Sequence, residues 1–162
     1  MLKKGLGKSC TTNLRGNCSV KLQKAEQCYS DSCGCSKNNK CNELCEGLYS
    51  HKEGIDTVAC GEASHAEGQL TKACAQASHA EGYRTISGGG YAHAEGFSTS
   101  ACGQASHTEG HATKACGQSA HAEGGNTIAQ GHVSHAEGLG TEARGNKSHS
   151  EGACTVASGE TS

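Results

Sequence analysis

Eight histidines recur every fourteen residues, at His51, His65, His79, His93, His107, His121, His135 and His149. Two positions after each stands a glutamate: Glu53, Glu67, Glu81, Glu95, Glu109, Glu123, Glu137 and Glu151. An imidazole beside a carboxylate can pass a proton, hold a transition-metal ion, or satisfy its partner's hydrogen bonds in a buried seam. Catalysis needs one pocket whose groups play different roles, and a pair repeated on a regular lattice offers none, so no enzyme is expected. Three histidines around a threefold axis resemble a zinc or nickel site, yet dedicated metal sites are singular, and no cofactor is expected. The expected role is structural, with imidazole and carboxylate hydrogen-bonded across a contact between chains.

The other chemistry-bearing residues are twelve cysteines. Seven lie near the N-terminus, at Cys10, Cys18, Cys28, Cys33, Cys35, Cys41 and Cys45. The run Cys28-x4-Cys33-x-Cys35-x5-Cys41-x3-Cys45 lacks the C-x2-C knuckles of common zinc fingers, which favours disulfide cross-links over a zinc cluster. Four more stand nine positions after a ladder histidine, at Cys60, Cys74, Cys102 and Cys116. If successive units stack about 4.8 Å apart, Cys60 with Cys74 and Cys102 with Cys116 come within disulfide reach. Bridges between coils, bonds to cysteines of another subunit, and unbonded small side chains all remain open for these four. Cys154 leaves the register and is a candidate link to the next molecule. So many cysteines suit oxidation after release from a cell better than a reducing cytosol.

What positions these groups is an internal repeat. Thr follows every ladder histidine by six positions, from Thr57 to Thr155, and Gly by three, from Gly54 to Gly152. Small residues recur at positions one, eight and thirteen, and Gly at position ten except for Ala75. Fourteen residues are too few for a helical hairpin but fit two short strands and two tight turns, one coil of a β-solenoid. Strand alternation puts positions thirteen and one on one face with His and Glu opposite, while positions six, eight and ten face together. The predicted fold is therefore an all-β parallel roll, flattened around an interior of Ala, Ser, Thr and Gly, about 40 Å long over eight coils.

The chain has 162 residues with 24 Gly, no Pro, no Trp and one Phe, too little material for an ordinary core. Disordered chains do not hold an eightfold register, so the repeat overrides that composition. Two regions are expected: a cysteine-rich connector over 1–46, and the solenoid over 47–162. The connector carries eight Lys/Arg against four Asp/Glu and the remainder six against twelve, a polarity that suits head-to-tail attraction. Short helices are predicted over 20–29 and 40–48. The basic residues are not interleaved with aromatics, so nucleic acid is not an expected partner. No stretch reads as a membrane span, and Met1-Leu2-Lys3-Lys4-Gly5 is not followed by the apolar run of a secretion signal. His111 and His132 fall outside the ladder and read as surface turn residues. Gly88-Gly89-Gly90-Tyr91 reads as a looser turn with a ring packed over it, since no helix follows to make a phosphate loop.

The unit Ser-His-Ala-Glu-Gly-x-x-Thr-x-Ala-x-Gly-x-Ala, as in Ser64 to Ala77 with Ala75 replacing Gly, resembles the head repeat of trimeric autotransporter adhesins. The resemblance covers residues 50 to 162. It implies a left-handed parallel β-roll assembled as a homotrimer, of the kind also met in phage fibre and bacterial surface proteins. This chain departs from the family in placing His and Glu where an apolar pair is usual, and in having no stalk or anchor.

A roll with so small an interior buries little apolar area per coil and needs partners. The expectation is a structural subunit, a homotrimer whose His/Glu columns meet at the seam. Trimers stack head to tail into an extracellular fibre, such as a spore appendage, with disulfides locking each joint and a spore-coat anchor at its base. The alternative is a trimeric adhesin or phage-fibre head that binds a host surface. A further expectation is that each imidazole, paired with its carboxylate, has a raised pKa.

Overall fold

The structure is a computed structural model that describes residues 46–162. Most of the cysteine-rich connector, and the helix predicted over 20–29, lie outside the described residues. Of the segment 40–48, the described part is a parallel bridge from Glu46 to Ala59 followed by a turn, not a helix. Local apolar spacing suggested a helix there, but the exposed edge of the first coil recruits this backbone as one more rung. The described residues contain no helix, hence none long and apolar enough to cross a membrane.

Each fourteen-residue unit contributes two strands. In the first coil these are His51–Ile55 and Val58–Ala59, and in the eighth His149–Ser150 and Val156–Ala157. The first strands of all eight coils form one parallel sheet and the second strands another, each in strict sequence order. Register never slips: His51 pairs with His65, His65 with His79, and so on to His149. A shift of one residue would turn the small interior residues outward, so the pattern of side-chain size holds the register.

The alternation expected from the sequence is present. Ala66, Ala80, Ala94, Ala122 and Ala136 at position one, and Thr71, Thr85, Thr113, Thr127 and Thr141 at position six, are fully buried. Serines at position thirteen turn inward and donate to the carbonyl three residues earlier, as in Ser106 Oγ to Gly103 O at 2.7 Å. Threonine is the largest fully buried side chain. The interior is a seam of methyl groups and hydroxyls, and its narrowness follows from the residues that fill it.

The corners were not foreseen. Residues at positions five and twelve of nearly every coil adopt left-handed backbone, and most are not glycine: Leu70 (φ 59°), Arg84 (φ 55°), Tyr91 (φ 60°) and Val133 (φ 53°) among them. Such a conformation costs an L-residue about 1–2 kcal/mol. Stacking offsets it, because each of these corner residues donates its N–H to a carbonyl in the coil below: Leu70 to Ile55 at 2.8 Å, Arg84 to Gln69 at 2.9 Å, Val133 to Gln118 at 2.9 Å. Tyr91 makes the same bond to Gln76, so the Gly88-Gly89-Gly90-Tyr91 turn is as regular as the others. Its ring is exposed and sends its hydroxyl towards Gln76 Oε1 at 3.4 Å.

Candidate functional site

The outward face of the first sheet gathers the ladder. Strand pairing places each histidine directly over the last, and the rings stack with centroids 4.6–5.1 Å apart. Most pairs are nearly parallel, down to 5° for His79 on His93 and 4° for His135 on His149, while His51 meets His65 edge-on at 87°. Glu lies two residues beyond each His and therefore on the same face. A second column, of carboxylates, runs beside the imidazoles.

Within a coil the two groups approach without bonding. Nε2 to Oε2 separations are 3.7 Å for His65–Glu67, 3.5 Å for His79–Glu81, 3.9 Å for His93–Glu95 and for His107–Glu109, 3.6 Å for His121–Glu123 and 4.0 Å for His135–Glu137. His149 instead faces Glu137 of the coil below at 3.6 Å. An N–H···O bond needs about 2.7–3.2 Å. The Nε2 atoms of His65, His79, His93, His107, His121 and His135 are buried and have no hydrogen-bond partner. Buried polar atoms are rarely left so.

Titration follows the stacking rather than the pairing. Burial, then the neighbouring imidazoles His79 and His107, push His93 below the ordinary histidine value. His121 is lowered in the same way by burial and by His107 and His135. The expected rise therefore reverses for these two, because a proton on one ring is repelled by rings 4.6–5.0 Å away while no carboxylate comes close enough to bond it. The carboxylates alternate. Burial and a hydrogen bond with Glu109 raise Glu95, and hydrogen bonds with Glu137 and Glu109 raise Glu123. Glu109 and Glu137 are lowered because they accept from these neighbours. The C-terminal half of this column, from Glu109 through Glu123 and Glu137 to Glu151, borders an open groove lined also by Gly124, Gly138 and Gly152.

Two features beside the ladder were missed in the sequence. Position four adds a third column on this face: Tyr83 stacks on Phe97 and Phe97 on His111, each with centroids 5.1 Å apart. His111 is thus part of a ring stack continued by bridges to Phe97 and Gly125, not merely a turn residue. Ile55, Phe97 and Leu139 of the same column are large and exposed. The signal was present in the sequence as apolar or aromatic residues at one repeat position, diluted by Gln69 and Gly125. His132 does sit at a turn, where its N–H donates to Asn146 Oδ1 at 3.0 Å.

Cys60, Cys74 and Cys102 are thiols, each half-buried on the outward side of the second sheet. Neither bridge between adjacent coils, Cys60 to Cys74 or Cys102 to Cys116, is formed in this structure. Cys116 and Cys154 are disulfide-bonded. Cys10, Cys18, Cys28, Cys33, Cys35, Cys41 and Cys45 lie outside the described residues. Among the described residues the chemistry is thus concentrated on one face, as stacked imidazoles with unpartnered nitrogens beside a column of carboxyl groups. No protein-family model matches the chain, and neither a curated protein nor a solved structure matches it.

Proposed function

We propose that the protein is a structural subunit of a self-assembling extracellular fibre, a homotrimer of left-handed rolls stacked head to tail and locked by disulfides. The observation that supports this reading is the first sheet's outward face, where six stacked imidazoles keep buried Nε2 atoms without a hydrogen-bond partner in a single chain. Along the fibre axis, the basic connector of one copy would meet the acidic body of the copy before it.

The trimer accounts for the first sheet's outward face. Half-buried imidazoles with unpartnered nitrogens, flanked by exposed Ile55, Phe97 and Leu139, gain both hydrogen bonds and apolar burial when three such faces meet around an axis. Disulfides between copies would make disassembly a matter of rate rather than equilibrium. A spore or cell surface is the setting that suits such a filament. The second reading, a trimeric adhesin or phage-fibre head, is favoured by the Tyr83–Phe97–His111 stack, whose exposed Phe97 and His111 rings could lie against a sugar ring.

Electron microscopy of oxidised protein before and after strong reductant separates the two. Filaments that shorten into rods on reduction support the fibre; uniform single rods in both states overturn it in favour of the binding head.

A further inference from the structure

One rung of the histidine column differs from the rest in its donor chemistry. His79, Glu81 and His93 each present one ligand atom, and the three atoms lie within 4.8 Å of one another. The other three-donor groups on this face, such as Glu95 with His107 and Glu109, combine a single imidazole with two carboxylates. Two imidazole nitrogens with one carboxylate oxygen form a set that borderline divalent cations favour, whereas oxygen-rich sets suit harder ions.

The set is also unsatisfied as it stands. Nε2 of His79 and Nε2 of His93 are both buried without a hydrogen-bond partner. The 3.5 Å between His79 Nε2 and Glu81 Oε2 is too long for a hydrogen bond. It is the separation of two atoms that share an ion, since donors held at about 2.0–2.2 Å from one tetrahedral or octahedral cation lie about 3.0–3.6 Å apart. His79 and His93 are partners across adjacent strands, and their rings stack at 4.6 Å with planes 5° apart, so one ring must turn before both nitrogens can face one ion. Both side chains are 36% exposed, so the rings have room to swing the roughly 1 Å that brings both nitrogens into a first coordination shell.

We propose that His79, Glu81 and His93 form a binding site for one zinc-class divalent cation per chain, with water completing the coordination. All three ligands come from a single chain, so the site does not depend on trimer or fibre assembly. Among the described residues it is the one three-donor group that contains two imidazoles.

Cobalt(II) titration of the metal-stripped full-length chain tests this, because the twelve cysteines are competing ligands that cobalt reports separately. Thiolate coordination gives an intense near-ultraviolet charge-transfer band, whereas imidazole and carboxylate give only weak visible bands. The expected result is one equivalent of saturable cobalt without the thiolate band, displaced by zinc. His79→Asn and Glu81→Gln should each weaken it at least tenfold, and His121→Asn should leave it unchanged. Should His79→Asn unfold the rod, the isosteric Glu81→Gln at its half-buried position carries the comparison alone. No saturable uptake, a thiolate band accounting for all bound cobalt, or equal weakening by His121→Asn would each overturn the proposal.

Discussion

The two outward faces of the rod are built on the same lattice and filled by opposite rules. On the first sheet, His and Glu occupy positions zero and two of every coil. On the second, position seven runs Val58, Lys72, Ile86, Ser100, Lys114, Ile128, Glu142, Val156, and position nine passes from cysteine to Gln130, Arg144 and Ser158. Both sheets have eight parallel strands in unbroken register. The fold therefore does not require its outward residues to repeat. Constancy inside the roll has a packing cause, since Ala, Ser and Thr are what fit. Constancy of His and Glu on an outward face has no such packing cause, and under the proposed trimer it would be the seam between copies that asks for it.

The comparison breaks first at the interior, where the largest effects belong. At Gly124, with φ +97°, an Ala Cβ would lie 2.2 Å from the carbonyl oxygen of Gly138, which is backbone and cannot yield. Gly124→Ala is expected to cost more than about 3 kcal/mol, the sum of strain and displacement of a whole coil. Gly152→Ala has nearly the same φ, +96°, but its added Cβ would meet only Thr155 Cγ2 at 3.9 Å, and should cost only about 1–2 kcal/mol. Urea unfolding of the reduced single rod measures both, and equal losses would show that conformation, not contact between coils, fixes these glycines.

One step lower, Ala101 is fully buried, and Ala101→Leu should lose about 1–3 kcal/mol because a roll closed by threonine-sized side chains has no slack. Lys72→Leu, on the variable outward face and exposed, should stay within about 0.5 kcal/mol of the parent. A large loss at Lys72 would erase the distinction between interior and surface.

Much of this was legible because the repeat is strict. Period fourteen set the coil, alternation sorted inside from outside, and small residues at positions one, six, eight and thirteen predicted the narrow seam that Thr71, Ala80 and Ser106 line. The corners were not legible. Leu70, Arg84 and Val133 have no local preference for left-handed backbone, and only hydrogen bonds to the coil below make that conformation worthwhile. The ladder was half legible. Spacing placed imidazole beside carboxylate, but whether they would bond depended on 3.5–4.0 Å separations set by strand geometry, and on repulsion between stacked rings. Neither is a property of one repeat read alone. The ring column of Tyr83, Phe97 and His111 was obscured for a related reason, since three different residue types share the position.

The repeating face should respond in the reverse sense to the interior, little in the single rod and much in the assembly. His107 makes no hydrogen bond through Nε2, so His107→Gln should change the stability of the isolated chain by less than about 1 kcal/mol. If the ladder lines a seam between copies, the same substitution lowers the trimer fraction in sedimentation. An unchanged assembly would leave the constancy of this column without a partner to explain it.

The smallest and most specific effect is on pH. His121 faces His107 and His135 in its own column, with Glu109, Glu123 and Glu137 beside them, and burial followed by the two imidazoles lowers its pKa below 6.5. A lowered folded value means that the unfolded chain binds the extra proton first. Stability from this group is therefore complete above about pH 6.5 and is lost as pH falls through the folded value, the opposite of what an ionic pair with Glu123 would give. The carboxylates add a lower window in which Glu123, raised, loses its contribution as pH rises, while Glu109 and Glu137, lowered, gain theirs, so that these terms oppose one another. Denaturation of the reduced, metal-stripped rod should show stability declining from about pH 6.5 downwards, with His121→Asn flattening part of that slope. Stability that instead rises on acidification through this range would restore the ion pair, and would mean that the carboxylates close on the imidazoles in solution.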